Sequence, residues 1–277
     1  MRAADAAADC GRQRLGRPQE GQMIPQIIDL ARQAGALLVE GLRRGPEAQL
    51  KSAYEVVTDI DRASEALIVG SLRRDFPDID IIAEEGSRYE RGASTCWLID
   101  PLDGTNNYAH GFPFFAVSIA LVRERDPILG VIFDPLRDEM FVASAGAGAW
   151  CNDRPMRVSR TSTLAAALLS TGFPYTYATT PDNNLRQFDR LQSCTQGVRR
   201  AGAAALDLAY VAHGRLDGHW EWHLNPWDSA AGALLVREAG GRVSTWAGTT
   251  WNPWSDRLVA SNGAIHAPLV AVLADPE

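Results

Sequence analysis

The sequence predicts an α+β arrangement in its first half and an α/β arrangement in its second. Three patterns carry that reading. Two segments with apolar residues at helical spacing come first, short apolar runs separated by turn residues follow, and strands then alternate with helices to the end of the chain. With 277 residues, 46% of them hydrophobic, the chain has the size and composition of one large domain with a substantial core. We divide it into an N-terminal extension, 1–22, expected to be disordered, and a single domain, 23–277, in two halves, 23–152 and 153–277.

Each element has a local cause. From Ile24 to about Arg44, residues Ile27, Ala31, Ala34, Leu38 and Leu42 recur at helical spacing, and Gly45-Pro46 stops the helix. A second helix is expected from about Asp61 to Arg74, opened by a capping box at Thr58-Asp59-Ile60-Asp61 and followed by Pro77. Apolar runs at Ile79–Ala83 and Cys96–Asp100 read as strands, and those at Phe114–Arg123, Ile128–Phe133 and Glu139–Ala143 as an antiparallel meander. The stretch 152–155 reads as a turn. In the second half, Leu168–Ser170, Val198–Arg200, Leu216–Glu221, Arg242–Thr245 and Leu258–Ser261 read as strands. Leu185–Cys194, Ala203–His213 and a segment from Ile265 read as helices. Pro226–Ala239 is the best-marked helix, with Pro at its first position, Asp228 in its first turn and Gly240 after its end.

Composition narrows the function classes. A net charge of -7 argues against a nucleic-acid surface, which needs clustered basic residues. It leaves an anionic substrate open, because bound cations reverse the local sign. Cys10, Cys96, Cys151 and Cys194 form no C-x-x-C pair and are read as inert thiols of a cytoplasmic protein. No apolar run reaches the ~20 residues of a transmembrane helix. The extension lacks the uninterrupted apolar stretch of a signal peptide, and Met23 is a second candidate start. The chain holds 26 arginines and a single lysine, Lys51. Biased codon usage accounts for the scarcity, though not for where the one lysine stands. Gly146-x-Gly148 follows a strand but no helix comes after it, so a dinucleotide loop is excluded.

Four segments carry candidate chemistry. In Asp100-Pro101-Leu102-Asp103-Gly104-Thr105, directly after the apolar run Trp97-Leu98-Ile99, two carboxylates three residues apart stand at a strand end that bends through Pro and Gly. They can converge on one point and offer the oxygen ligands a hard cation takes. Gly104 and Thr105 would open a short helix whose free N–H groups suit a phosphate. The second segment is Ala83-Glu84-Glu85-Gly86, the third Trp227-Asp228-Ser229-Ala230-Ala231-Gly232, and the fourth Lys51–Asp61. Taken singly, Asp228 reads as a helix-dipole partner, Asp61 as a capping acid and Glu84-Glu85 as a solvated strand end. The four together, in this order, weigh against those separate readings.

The order of these motifs resembles the inositol monophosphatase family, within the superfamily that includes fructose-1,6-bisphosphatases. Its signatures D-P-[LI]-D-G-T-x-N-[FY] and W-D-x-A-A-G are both complete, the first through Asn107 and Tyr108, and the likeness runs from about Ile24 to the end. The resemblance implies a layered α/β/α/β/α sandwich, a homodimer, and a lithium-sensitive phosphatase that needs two or three Mg²⁺ ions, with Mn²⁺ as substitute. It implies that Glu84, Asp100 and the carbonyl of Leu102 hold one Mg²⁺, and Asp100, Asp103 and Asp228 a second. Asp61, with Glu84 through waters, would help a third. Thr105 and Asp61 would orient and deprotonate the attacking water, Gly104 and Thr105 would bind phosphate, and Gly202, Ala203, Ala204 and Glu221 would contact substrate. Lys51 and His223 are auxiliary candidates, and His223 stands where relatives usually have glycine. The charge count agrees: Glu84, Asp100, Asp103, Asp228 and Asp61 would crowd five negative charges into one pocket, which divalent cations offset.

The expected substrate is inositol 1-phosphate or a similar polyol phosphate. Histidinol phosphate, fructose 1,6-bisphosphate and adenosine 3′,5′-bisphosphate are alternatives that the same motifs would serve. A non-catalytic binding or regulatory protein on the same fold is a third reading. The complete ligand set argues against it.

Overall fold

The computed structural model describes residues 18–45, 48–50, 56–174, 179–180 and 183–274. The chain order is α1 (Pro18–Arg44), β1 (Ala48–Leu50), β2 (Val56–Thr58), α2 (Asp59–Asp75), β3 (Asp80–Ala83), β4 (Arg88–Tyr89), β5 (Thr95–Asp103), α3 (Thr105–Ala109), β6 (Ala116–Arg123), β7 (Asp126–Asp134), β8 (Glu139–Ser144), β9 (Gly148–Cys151) and β10 (Arg154–Pro155). After a 3₁₀ turn at Leu164–Ala166 come β11 (Leu168–Thr171), α4 (Leu185–Cys194), β12 (Gly197–Arg199), α5 (Ala204–Ala212), β13 (Gly218–Trp222), α6 (Pro226–Glu238), β14 (Arg242–Ser244), β15 (Arg257–Ser261) and α7 (His266–Ala274).

The strands form two main sheets. The larger has the order β10-β9-β8-β7-β6-β5-β3-β4 and is antiparallel except where β3 runs parallel to β5. The smaller has the order β12-β11-β13-β15-β14. In it β11 runs parallel to β12 and β13, while β15 runs antiparallel to β13 and β14. Three apolar layers join these sheets to the helices. Ile27, Leu38 and Ile68 of α1 and α2 pack against Trp97, Ile99 and Ile119 of the large sheet. Leu208 of α5 and Leu234 of α6 lie between Leu98 and Ala120 of the large sheet and Leu258 and Ala260 of the small one. Leu191 of α4 and Leu269 of α7 cover the outer face of the small sheet at Trp220 and Val259. The result is the five-layer α/β/α/β/α sandwich.

Several expectations need correction. The first helix starts at Pro18 rather than Ile24, so residues 18–22 of the expected extension are helical in their backbone; residues 1–17 lie outside the described residues. The hairpin β1–β2 and the strand β9 escaped the sequence reading, being three and four residues long with little room for periodicity. The sheet of the second half is mixed, a detail the α/β reading left open. The two halves also share a core, since α5 and α6 fill the space between both sheets.

Candidate active site at the junction of the two sheets

The centre of the site is made by one irregularity in β5. Along a regular strand, residues three apart point to opposite faces. The pairing of β5 with β6 slips between Asp100 and Asp103, a bulge at Pro101-Leu102. Leu102 thereby turns into the layer beneath α1 and α2. Asp100 and Asp103 both look toward α5 and α6. Asp100 Oδ1 accepts the Leu102 N–H at 3.0 Å, which holds the bend. Asp103 Oδ2 accepts the Ala205 N–H at the start of α5 at 2.8 Å.

Gly104 follows with φ +89, a conformation L side chains rarely adopt. A Cβ there would meet the Phe114 carbonyl at 2.9 Å and Ala203 Cβ at 3.2 Å. The tight turn starts α3, whose Thr105 hydroxyl faces Asp61 Oδ1 at 3.1 Å and the Leu102 carbonyl at 3.0 Å. Asp61 is fully buried, and its Oδ2 accepts the Thr58 N–H at 2.8 Å. It is therefore a capping acid and the partner of Thr105 at once. Asp228, the third residue of α6, likewise accepts the Asn225 N–H at 2.7 Å while lining the cavity.

That cavity, of about 590 Å³, is walled by Glu84, Asp100, Leu102, Asp103, Gly104 and Thr105 on one side and by Gly202, Ala203, Ala204, Glu221, His223 and Asp228 on the other. Every site residue inferred from the sequence stands in this wall except Asp61, which reaches it through Thr105, and Lys51, which lies outside the described residues. His223 has φ +62, the left-handed conformation that explains why glycine suits the position. Sequence reading missed Glu65 and the structural role of Asn107. Buried Glu65 accepts the Glu85 and Ser87 N–H groups at 2.6 and 3.1 Å and so shapes the turn carrying Glu84. Asn107 donates to the carbonyls of Phe114 and Ala201 at 2.7 and 2.8 Å, tying α3 to the chain before α5.

Charge dominates the electrostatics. Burial, then Glu84, Asp103 and Asp228, push the carboxyl of Asp100 well above the usual carboxylate range. Burial raises Asp103 to about 8 even though the Ala205 N–H pulls the other way. Asp228 is raised by burial and by Asp103. Arg200 is the one Arg or Lys among the described lining residues. No three His, Cys, Asp or Glu side chains among the described residues close into a cation cage. The donor set still fits a hard divalent cation. It offers only oxygens, and their mutual repulsion is relieved by positive charge.

The profile of the inositol monophosphatase family matches residues 20–275. The chain belongs to that family. By family it is a phosphatase-type hydrolase. A relative named inositol-1-monophosphatase from Synechocystis is 47% identical over 223 residues, 80% of this chain and 78% of its own length. A relative named Nus factor SuhB from Pseudomonas aeruginosa is also 47% identical, over 91% of this chain and 95% of its own length. The solved inositol monophosphatase of Anabaena superposes with a TM-score of 0.82 at 45% identity, covering 91% of this chain and 96% of that one. No described helix is long and apolar enough to cross a membrane.

Proposed function

We propose that this chain is a Mg²⁺-dependent phosphomonoesterase of small polyol phosphates, with inositol 1-phosphate the first choice of substrate. The observation that carries the proposal is the bulge in β5, which turns Asp100 and Asp103 into the cavity that Glu84 and Asp228 also line. Glu84, Asp100, Asp103, Asp228 and the Leu102 carbonyl would hold Mg²⁺. When bound, Mg²⁺ supplies the positive charge that draws in the phosphate and polarises an attacking water.

The chain's own groups do the rest. The Thr105 hydroxyl proton has two acceptors, Asp61 Oδ1 and the Leu102 carbonyl. Its lone pairs are thereby left for a water proton on the cavity side, and Asp61 receives the proton Thr105 gives up. The Thr58 N–H holds the other oxygen of Asp61, so the acceptor keeps its aim. The N–H groups of Gly104 and Thr105, at the turn into α3, suit phosphate oxygens. Glu221, across the cavity, accepts hydrogen bonds from substrate hydroxyls.

Phosphate release from inositol 1-phosphate, histidinol phosphate, fructose 1,6-bisphosphate and adenosine 3′,5′-bisphosphate tests the proposal, run with Mg²⁺, with chelator and on Asp100→Asn. Turnover of inositol 1-phosphate should be among the best by kcat/KM and vanish in the last two conditions. Full activity in chelator contradicts the metal assignment; a poor ranking of inositol 1-phosphate removes the substrate assignment alone.

A Nus-factor role is a second reading, favoured by the 47% identity to the P. aeruginosa relative of that name. Asp100→Asn separates the two. Replacement of that relative in its own host by this variant should fail if catalysis is what matters. Success would assign the role to a surface instead.

A further inference from the structure

Glu221 does not stand alone at the cavity wall. It shares a face of β13 with His219, two residues earlier, and His219 is fully buried. His219 pairs across the sheet with Ser170 of β11, and its Nδ1 lies 3.0 Å from Ser170 Oγ. Its other nitrogen, Nε2, has no hydrogen-bond partner of good geometry. In front of it is Glu221 Oε2, at 3.2 Å. Leaving a buried ring nitrogen unpaired is costly, so a small turn of the Glu221 carboxyl into line is favoured. The second oxygen is seated just as closely. A Cβ on Gly172 would stand 1.9 Å from Glu221 Oε1, so only glycine leaves that space.

The protonation pattern follows from the partners. An ionised Glu221 only accepts, so the proton between the two groups belongs on His219 Nε2. Nδ1 then accepts from Ser170 Oγ. Asp207 of α5 completes the row, its Oδ2 4.0 Å from His219 Nδ1. Burial, then Glu221, raise the Asp207 carboxyl well above the usual range. The hydrogen bonds thus run from Ser170 through His219 to Glu221.

We propose that His219 is a positioning residue for substrate selectivity: its Nε2–H fixes Glu221 Oε2 and leaves Oε1, over Gly172, as the oxygen offered to a substrate hydroxyl. The proposal rests on the reading that Glu221 faces the hydroxyl-bearing end of the substrate. A carboxylate free to rotate could meet an ammonium, a hydroxyl or water in several orientations. One with an oxygen already bound presents a single directional acceptor, which suits a ring hydroxyl held at a set distance from the phosphate.

Two near-isosteric variants separate positioning from packing. In His219→Gln the side-chain amide nitrogen can occupy the place of Nε2 and reach Glu221. In His219→Asn the amide reaches only the place of Nδ1, beside Ser170. The readout is the ratio of kcat/KM for inositol 1-phosphate to that for p-nitrophenyl phosphate, an ester with no hydroxyls, with KM and kcat resolved. His219→Asn should lower the ratio about tenfold or more, chiefly through the KM for inositol 1-phosphate. His219→Gln should restore most of it, and Glu221→Gln should lower it at least as far as His219→Asn. An unmoved ratio in His219→Asn beside a collapsed one in Glu221→Gln overturns the role of His219 and leaves Glu221 in place. Equal losses in the Asn and Gln variants also overturn it, by assigning His219 to packing. A ratio unmoved in Glu221→Gln overturns both this proposal and the reading beneath it.

Discussion

Gly130→Ala tests how closely the site depends on helix-to-sheet packing. Gly130 lies in β7, and α6 crosses it at Ala231, one turn after Asp228. A Cβ on Gly130 would stand 2.9 Å from both Cα and the carbonyl oxygen of Ala231. Ordinary contacts begin at 3.4 Å, and 3.4 − 2.9 gives a displacement of at least 0.5 Å. The obstacle is backbone, so no side-chain rotation relieves it and α6 must move off the sheet. Overpacking of this kind costs about 1–3 kcal/mol, of which about 0.4–1 is offset by the stiffer unfolded chain. For a chain of this size the net loss, about 0.6–2 kcal/mol, corresponds to a fall in Tm of roughly 1–8 °C. Asp228 would shift relative to Asp100 and Asp103 by a similar distance, near the roughly 0.5 Å tolerance of a catalytic constellation. We therefore expect kcat to drop about tenfold, with a weaker response to Mg²⁺. Thermal unfolding and phosphate release on the purified variant read both quantities. Gly70→Ala is the control: Gly70 is exposed in α2 with nothing within 4 Å of its added Cβ, so it should raise Tm slightly. Wild-type Tm and kcat in Gly130→Ala would refute the argument that α6 has no slack against the sheet.

Three further outcomes follow from the same structure. Asp103, raised to about 8, holds its proton more tightly folded than unfolded. In metal-free protein its contribution therefore falls as pH climbs from about 4 to about 8, and Mg²⁺ binding must expel the proton; apparent Mg²⁺ affinity should rise by at least about tenfold per pH unit between pH 6 and 7.5 by titration calorimetry, and a flat affinity would count against the site. His266, lowered to about 4 by burial and by Arg242, stays neutral in the fold between Ser244 and Ser261. Its contribution is complete above pH 6.5 and is lost toward pH 4 at up to about 1.4 kcal/mol per unit, so His266→Gln should flatten the urea-midpoint slope between pH 7 and 5; equal slopes would discard this. Thr105→Ala should lower kcat by roughly 10²–10⁴ with KM little changed, and Thr105→Ser should recover most of the loss; similar kcat in both variants would remove the hydroxyl from the proton path.

Local sequence determined much of this protein. Helical spacing in α1, Pro226 and Gly240 around α6, and the apolar runs of β5 to β8 are short-range signals, and each element lies within a few residues of its expected place except at the start of α1. The motif from Asp100 to Thr105 was legible for the same reason, since its Pro and Gly dictate a bend directly after a strand. Tertiary structure decided the rest. Whether Asp100 and Asp103 share a face depends on the register of β5 against β6, and pairing between strands is not written in the periodicity of either one. That Asp228 meets them depends on α6 packing against a sheet built from residues far earlier in the chain. Glu65, the partners of Asn107 and the row that joins Ser170 and His219 to Glu221 were invisible for a related reason. Each involves a polar side chain satisfied by partners distant in sequence, and burial, which makes that satisfaction compulsory, exists only once the layers have closed.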